Sequence, residues 1–401
     1  MRLTVLALLG AFMLSLGALA AEWPRFRGPF DDGISRETGI NKDWAARLPN
    51  QLWNAPMSDG GYAGPSVAAG KIFIIDHAGS KDIVRALKLA TGETVWTYEY
   101  EDTASNNYGF SQATPLYDNG KLYTISCMGK VFCLNAETGE KIWGANLVAD
   151  FGGRLPSWRM ATSPFIDGDR LILIPGAPNN GAVVALNKTT GQLLWKGGGS
   201  DIPGYATPVV ATIQGVKQYV IFSGTSLNGV ETETGKLLWS FPWKTQHDVN
   251  AALPLVAGNS IFITSNYRRG CALVEITPDG PVKAWENTNM HSHFSTPVVI
   301  DNLIYGTTDP GKLVCLDPRN EGKIVWEQRG FGKGGLIAVD GVLLVLDGNN
   351  GDLAMVKATP EAYQELGRFR PLGGQSWTAP IVADGKLIIR NQKTLAVYDL
   401  K

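Results

Sequence analysis

Thr138-Gly139-Glu140-Lys141-Ile142-Trp143 recurs along the chain, and that recurrence decides the fold. Thr91-Gly92-Glu93-Thr94-Val95-Trp96 precedes it; Thr190-Gly191-Gln192-Leu193-Leu194-Trp195 and Thr234-Gly235-Lys236-Leu237-Leu238-Trp239 follow. Asp279-Gly280 leads to Trp285 with one extra residue, and Glu321-Gly322 leads to Trp326. A turn residue and a glycine, then a short apolar run ending in tryptophan, reads as a hairpin corner feeding a strand. Recurrence at roughly 44 residues makes it one unit of a repeat architecture.

Each unit carries a second mark. A proline follows a small residue at Gly64-Pro65, Thr114-Pro115, Ser163-Pro164, Thr207-Pro208, Thr296-Pro297 and Ala379-Pro380, and follows a leucine at Leu253-Pro254. Leu336 fills that slot in one degenerate copy. After the proline come an alternating strand, a turn and a second strand, as in 115–126. A third strand such as Val131-Phe132-Cys133-Leu134 then enters the Thr-Gly turn. Four antiparallel strands per unit predict an all-β, eight-bladed β-propeller. The tryptophan slots fall at Trp53, Trp96, Trp143, Trp195, Trp239, Trp285 and Trp326, with Phe369 in the departing copy. Trp53 lacks three preceding strands, and the copy after Pro380 stops after three. Gln51-Leu52-Trp53 therefore supplies the missing fourth strand and closes the ring. An open solenoid is the competing arrangement.

The chain divides into a signal peptide over 1–20, an arm over 21–50 and the propeller over 51–401. Arg2, the apolar run 3–16 and Ala18-Leu19-Ala20 mark the targeting segment. No lipoprotein cysteine follows, so a periplasmic or secreted protein without a membrane anchor is expected. The net charge of −1 shows no basic stripe, which argues against a nucleic-acid partner. A monomer is expected. The arm, Trp23-Pro24-Arg25-Phe26-Arg27-Gly28-Pro29, suits a structural plug or cation–π stacking. Glu361 to Leu366 reads as one helical turn. Cys127, Cys133, Cys271 and Cys315 read as four buried thiols. Pairing Cys127 with Lys130 sets Cys133 opposite Thr124, too far from Cys127 for a bridge.

The loops joining one blade to the next converge on one face around the central channel. They hold Tyr108, Arg154, Trp158, Arg159, His247, His291, His293, Gln375 and Trp377, residue types that turns do not need. Three positions before the proline slots stand Tyr62, Gln112, Ala161, Tyr205, Ala251, Phe294 and Trp377. This column either rings the channel mouth or wedges between blades. His291-x-His293 has the spacing for two metal ligands on one strand face, but no clear third ligand accompanies it, so no metal site is expected. No Gly-x-Ser-x-Gly elbow and no phosphate loop occur.

The unit from Leu186-Asn187 to Trp195, like that from Leu134-Asn135 to Trp143, resembles the pyrroloquinoline-quinone (PQQ) enzyme repeat. The opening Trp23-Pro24-Arg25-Phe26-Arg27-Gly28-Pro29 is similar to that of exported PQQ-like proteins. The resemblance implies the eight-bladed fold and two functional branches. One is non-catalytic and BamB-like, engaging a protein or small-molecule partner at the loop-rich face without a cofactor. The other consists of quinoprotein dehydrogenases, which would bring PQQ with calcium and oxidise an alcohol or sugar. The adjacent paired cysteines and haem domain that the resemblance implies for that second branch are missing, so no catalytic residue is expected.

Overall fold

The computed structural model describes residues 22–103 and 109–401. The signal peptide read over 1–20 and Tyr108 lie outside the described residues. Eight sheets of four antiparallel strands follow one another along the chain, one of them extended by a fifth, parallel strand. Blade 1 spans 66–101, blade 2 116–146, blade 3 165–197, blade 4 209–242, blade 5 255–287, blade 6 298–329 and blade 7 336–369. Blade 8 takes three strands from Ile381–Ala383, Lys386–Arg390 and Thr394–Asp399, and its outer strand from Asn50–Pro56. Trp53 pairs with Val397, which closes the ring as the chain ends predict. Closure by the two ends leaves no blade without its fourth strand.

The repeated motif has a physical role at most of the seams between blades. Each tryptophan follows a register irregularity in its outer strand, for example between Lys141 and Trp143. In all of them but Trp239 the indole N–H then donates to a carbonyl of the next blade. Trp96 reaches Ala136 at 3.1 Å and Trp143 reaches Lys188 at 3.0 Å. Beneath Trp53, Trp96, Trp143, Trp195 and Trp285 lies the glycine of the next blade's turn. A Cβ on Gly139 would stand 2.6 Å from Trp96, and one on Gly191 2.8 Å from Trp143. Both glycines have positive φ. The Thr-Gly-x-x-x-Trp pattern thus reports a contact between consecutive blades as well as a turn. In five blades the third strand carries a small residue opposite the ring, Ala86, Cys133, Ala185, Gly229 and Cys315, whereas Leu273 faces Trp285 and Val397 faces Trp53.

Two local expectations are corrected. Residues 361–366 contain no helical turn; the outer strand of blade 7, Glu365–Phe369, begins there instead. Cys133 faces Tyr123, not Thr124, because Ser126 rather than Cys127 pairs with Lys130 across the turn. None of the four cysteines nonetheless forms a disulfide, and all four are buried.

The arm crosses the channel at the end of the inner strands remote from the loop-rich face. Trp23 bridges Val67 of blade 1, and the Pro24 carbonyl accepts from Tyr117 of blade 2. The Arg25 guanidinium lies 5.8 Å from the Phe165 ring of blade 3. Phe26 packs into the core of blades 4 and 5. Arg27 donates to Thr296 and Pro297 of blade 6, and Ile34–Ser35 adds the parallel strand to blade 7. The plug reading of the arm therefore holds.

Candidate functional site: a chamber behind an aromatic rim

Between the arm and the loop-rich face lies a cavity of about 240 Å³. Its floor is Trp23, Phe26 and Arg27, and its wall is the start of the inner strands. All seven residues of the predicted column line it, and the degenerate copy adds Lys333, three positions before Leu336. The column thus rings the channel; the alternative of a wedge between blades does not hold for it. Small side chains just below, at Thr114, Ser163, Thr207 and Thr378, let the eight strands converge. Their hydroxyls also staple blades: Thr114 N–H donates to Ser163 Oγ at 2.9 Å, and Ser163 N–H to Thr207 Oγ1 at 3.1 Å.

The rim is a run of rings in mutual contact. Trp158 meets His247 at 6.0 Å, His247 meets Tyr267 at 5.8 Å, and Tyr267 meets His293 at 5.3 Å. The run continues from His293 to Phe294 at 5.0 Å, to Trp377 at 5.4 Å and to Tyr62 at 5.0 Å. Edge-to-face and offset contacts at these separations are the favourable ones for aromatic pairs. Tyr205 accepts the Trp158 backbone N–H on its hydroxyl at 3.1 Å, and Gln112 donates to the Trp158 carbonyl at 3.0 Å. Burial pushes the Tyr205 phenol up to about 12, so it stays protonated.

Charge in the chamber has one sign. No Asp or Glu is among its lining residues, whereas Arg27 and Lys333 are. Arg27 donates from its terminal nitrogens to three backbone carbonyls, Thr296 at 3.0 Å, Asp32 at 2.8 Å and Pro297 at 2.7 Å, while its Nε is buried without a partner among the described residues. Burial lowers it to about 10, still cationic at neutral pH. Gly33 is required beneath it, since a Cβ there would stand 2.3 Å from Cζ. His293 is held down to about 4 by burial and by Lys333, so its ring is neutral at pH 7. Burial also lowers His291.

A family model described as outer membrane protein assembly factor BamB matches residues 80–328. The chain belongs to this family. BamB of Yersinia pestis is 22% identical over 85% of this chain and 76% of its own length. The solved BamB of Moraxella catarrhalis superposes with a TM-score of 0.63 at 17% identity, covering 88% of this chain and 98% of that one. A europium-containing methanol dehydrogenase gives a TM-score of 0.66 at 13% identity over 97% and 100% of the two chains. That likeness is one of fold.

In this BamB-family propeller the predicted loop residues fall into two groups. Trp158, His293 and Trp377 line the chamber, and His247 extends the rim outside it. Arg154, Arg159, His291 and Gln375 are not chamber residues. The Arg154 guanidinium donates to the carbonyls of Gly176 and Ser200, tying blade 3 to the loop before blade 4. The His291 backbone N–H donates to Thr308 Oγ1 at 2.6 Å. Among the described residues no three of His, Cys, Asp and Glu cluster as metal ligands. Sequence reading missed Lys333 and Tyr267. Lys333 was reachable by extending the column to the Leu336 copy. Tyr267 sits on the turn between the middle strands of blade 5, where the repeat gives no signal. The remaining histidine, His77, is a core group: its ring stacks on Phe110 at 3.6 Å and its Nδ1 meets Asp82 at 2.8 Å.

Proposed function

We propose that this chain is a non-enzymatic binding propeller that engages a protein or small-molecule partner through the aromatic rim, and that it acts after export, in the periplasm or outside the cell. The chamber carries the reading: one open end framed by aromatic rings, one end closed by the arm, and a lining without acid–base pairs. Aromatic side chains in contact offer large rigid area at low entropic cost, as binding hot spots do. The BamB relatives, named as outer membrane protein assembly factors, make a protein partner the first expectation.

The quinoprotein dehydrogenase reading finds less support. A calcium-held quinone needs oxygen ligands of the carboxylate type, and the chamber wall supplies none. The cysteines lie in strands or turns and none lines the chamber. No catalytic step is derived through that group.

Photo-crosslinking tests the binding face. A crosslinker at Gln375, beside the rim, is expected to capture a partner that one at Asn119, on the opposite-face turn, does not. Arg159→Ala, His291→Ala and Trp377→Ala then separate rim from surroundings, with Trp377→Ala expected to weaken capture most. Capture from Asn119 alone would overturn the assignment. An absorbance change and a melting shift on adding PQQ with calcium, followed by alcohol oxidation, would restore the enzyme reading.

A further inference from the structure

The seam between blades 6 and 7 holds polar groups that the fold does not use. His293, Phe294, Ser295 and Lys333 line the chamber and also a small side recess of about 10 Å³ behind it. His293 Nδ1 and Ser295 Oγ are buried and have no hydrogen-bond partner among the described residues. Lys333 Nζ has neither an acceptor nor an ion pair among them; its near neighbour is the Trp377 ring, 5.9 Å away at the centroid. Unmet donors of this kind cost free energy unless something supplied from outside meets them. Of the carboxylates beside the seam, Asp309 lines only the recess and accepts from Asn266, and Asp347 accepts from the Gly332 N–H. Neither lines the chamber, which leaves that side of Lys333 to an incoming acceptor.

We propose that the chamber is a binding site for a small aromatic monocarboxylate, its carboxylate held by Lys333 and Ser295 and its ring against Trp377, Phe294 and Tyr62. This deepens the proposed function and rests on the loop-rich face being the open one. Three features select the class. The lining lacks acids, which favours an anion. Of the two cations, Arg27 is fixed in the floor by three carbonyls, with Asp31 and Asp32 acting on its charge, so Lys333 is the cation left for an incoming group, and one charge suits one carboxylate. The wall facing Lys333 is aromatic, with Phe294, Trp377 and Tyr62 in continuous contact, which suits a flat ring. His293, neutral beside them, offers Nδ1 to a bound water or to the acid without adding charge.

The test uses 2-naphthoate and its neutral isostere 2-naphthamide, titrated into the full-length mature protein by calorimetry. The wild-type protein is expected to bind the acid about tenfold or more tightly than the amide, as expected for a partly buried charge-assisted pair. Lys333→Met should bring the acid down to the amide's affinity and leave the amide unchanged. Trp377→Ala should weaken both, with the melting temperature of each variant reporting that the fold persists. Equal affinities for acid and amide in the wild-type protein would overturn the carboxylate site while sparing the assignment of the face. Acid binding that survives both substitutions would place it elsewhere and overturn the proposal, as would no binding of either probe at millimolar concentration.

Discussion

Trp239 Nε1 donates to Gln218 Oε1 of its own blade at 2.7 Å, whereas Trp53, Trp96, Trp143, Trp195, Trp285 and Trp326 all donate to a carbonyl of the following blade. The exception has a local cause. The turn of the next blade, Asp279-Gly280, is the one spaced with an extra residue, and no heavy atom lies within 4 Å of where a Gly280 Cβ would be. Gly229 opposite makes room, since a Cβ there would stand 2.2 Å from Trp239 Nε1. Gln218→Leu should therefore strand a buried indole N–H and cost about 1–3 kcal/mol, read as a lowered denaturation midpoint. An unchanged midpoint would show that the indole finds another acceptor.

The contact of tryptophan on glycine can be separated from the backbone requirement. Gly120 and Gly139 share nearly the same φ, +78° and +77°, but only Gly139 has a ring above it. Gly120→Ala should cost about 1 kcal/mol for the left-handed conformation alone. Gly139→Ala should cost a further 1–3 kcal/mol or so, from collision with Trp96. Equal melting temperatures for the two variants would refute the seam role of the motif.

Closure of the ring rests on Thr394–Asp399, which pairs on both edges. Ala396 faces Asn54 on one side and Ile389 on the other. Ala396→Pro removes a ladder donor from a central strand and should cost about 3 kcal/mol or more. The loss should appear as a fall in thermal stability together with faster proteolysis near residue 50, where the N-terminal strand is released. Proteolysis unaltered at that site would mean that the N-terminal strand holds without its partner.

The pH dependence of stability should carry the mark of His293. Its folded value of about 4 lies below the ordinary 6.5 because burial and Lys333 disfavour the charged ring. Below pH 6.5 the unfolded chain takes up this proton first, so stability is lost as pH falls from there toward 4. At pH 5 the loss from this one group is about 1–2 kcal/mol. His293→Asn should flatten the denaturation midpoint between pH 7 and pH 5 relative to the wild-type chain. Parallel curves would assign the acid sensitivity to other groups.

The four thiols should be silent in the folded protein. Burial pushes Cys133 and Cys315 up to about 11 and Cys271 up to about 12, and raises Cys127 further. The thiolate that reacts is then scarce at neutral pH. Titration without reductant should find none before unfolding and four after it. Two after unfolding would mean a disulfide.

By itself the sequence determined the blade count and the closing strand, and it marked the column at the repeat positions without deciding whether that column rings the channel or wedges between blades. Turn glycines, proline slots and tryptophans recur because each blade solves the same packing problem against the next, so chemistry repeats wherever geometry does. The site was legible only as far as it obeyed that period: Tyr62, Phe294 and Trp377 stand at repeat positions, and Lys333 stands at the same position in a copy whose proline is lost. The tertiary structure alone decided what closes the channel and which polar groups are left over. The arm touches successive blades with side chains that no repeat specifies. Arg154 and Lys333 look alike as cations on loops, yet one is consumed by two carbonyls and the other is not. That difference depends on where carbonyls from distant segments happen to point, and a local pattern of residues carries no record of it.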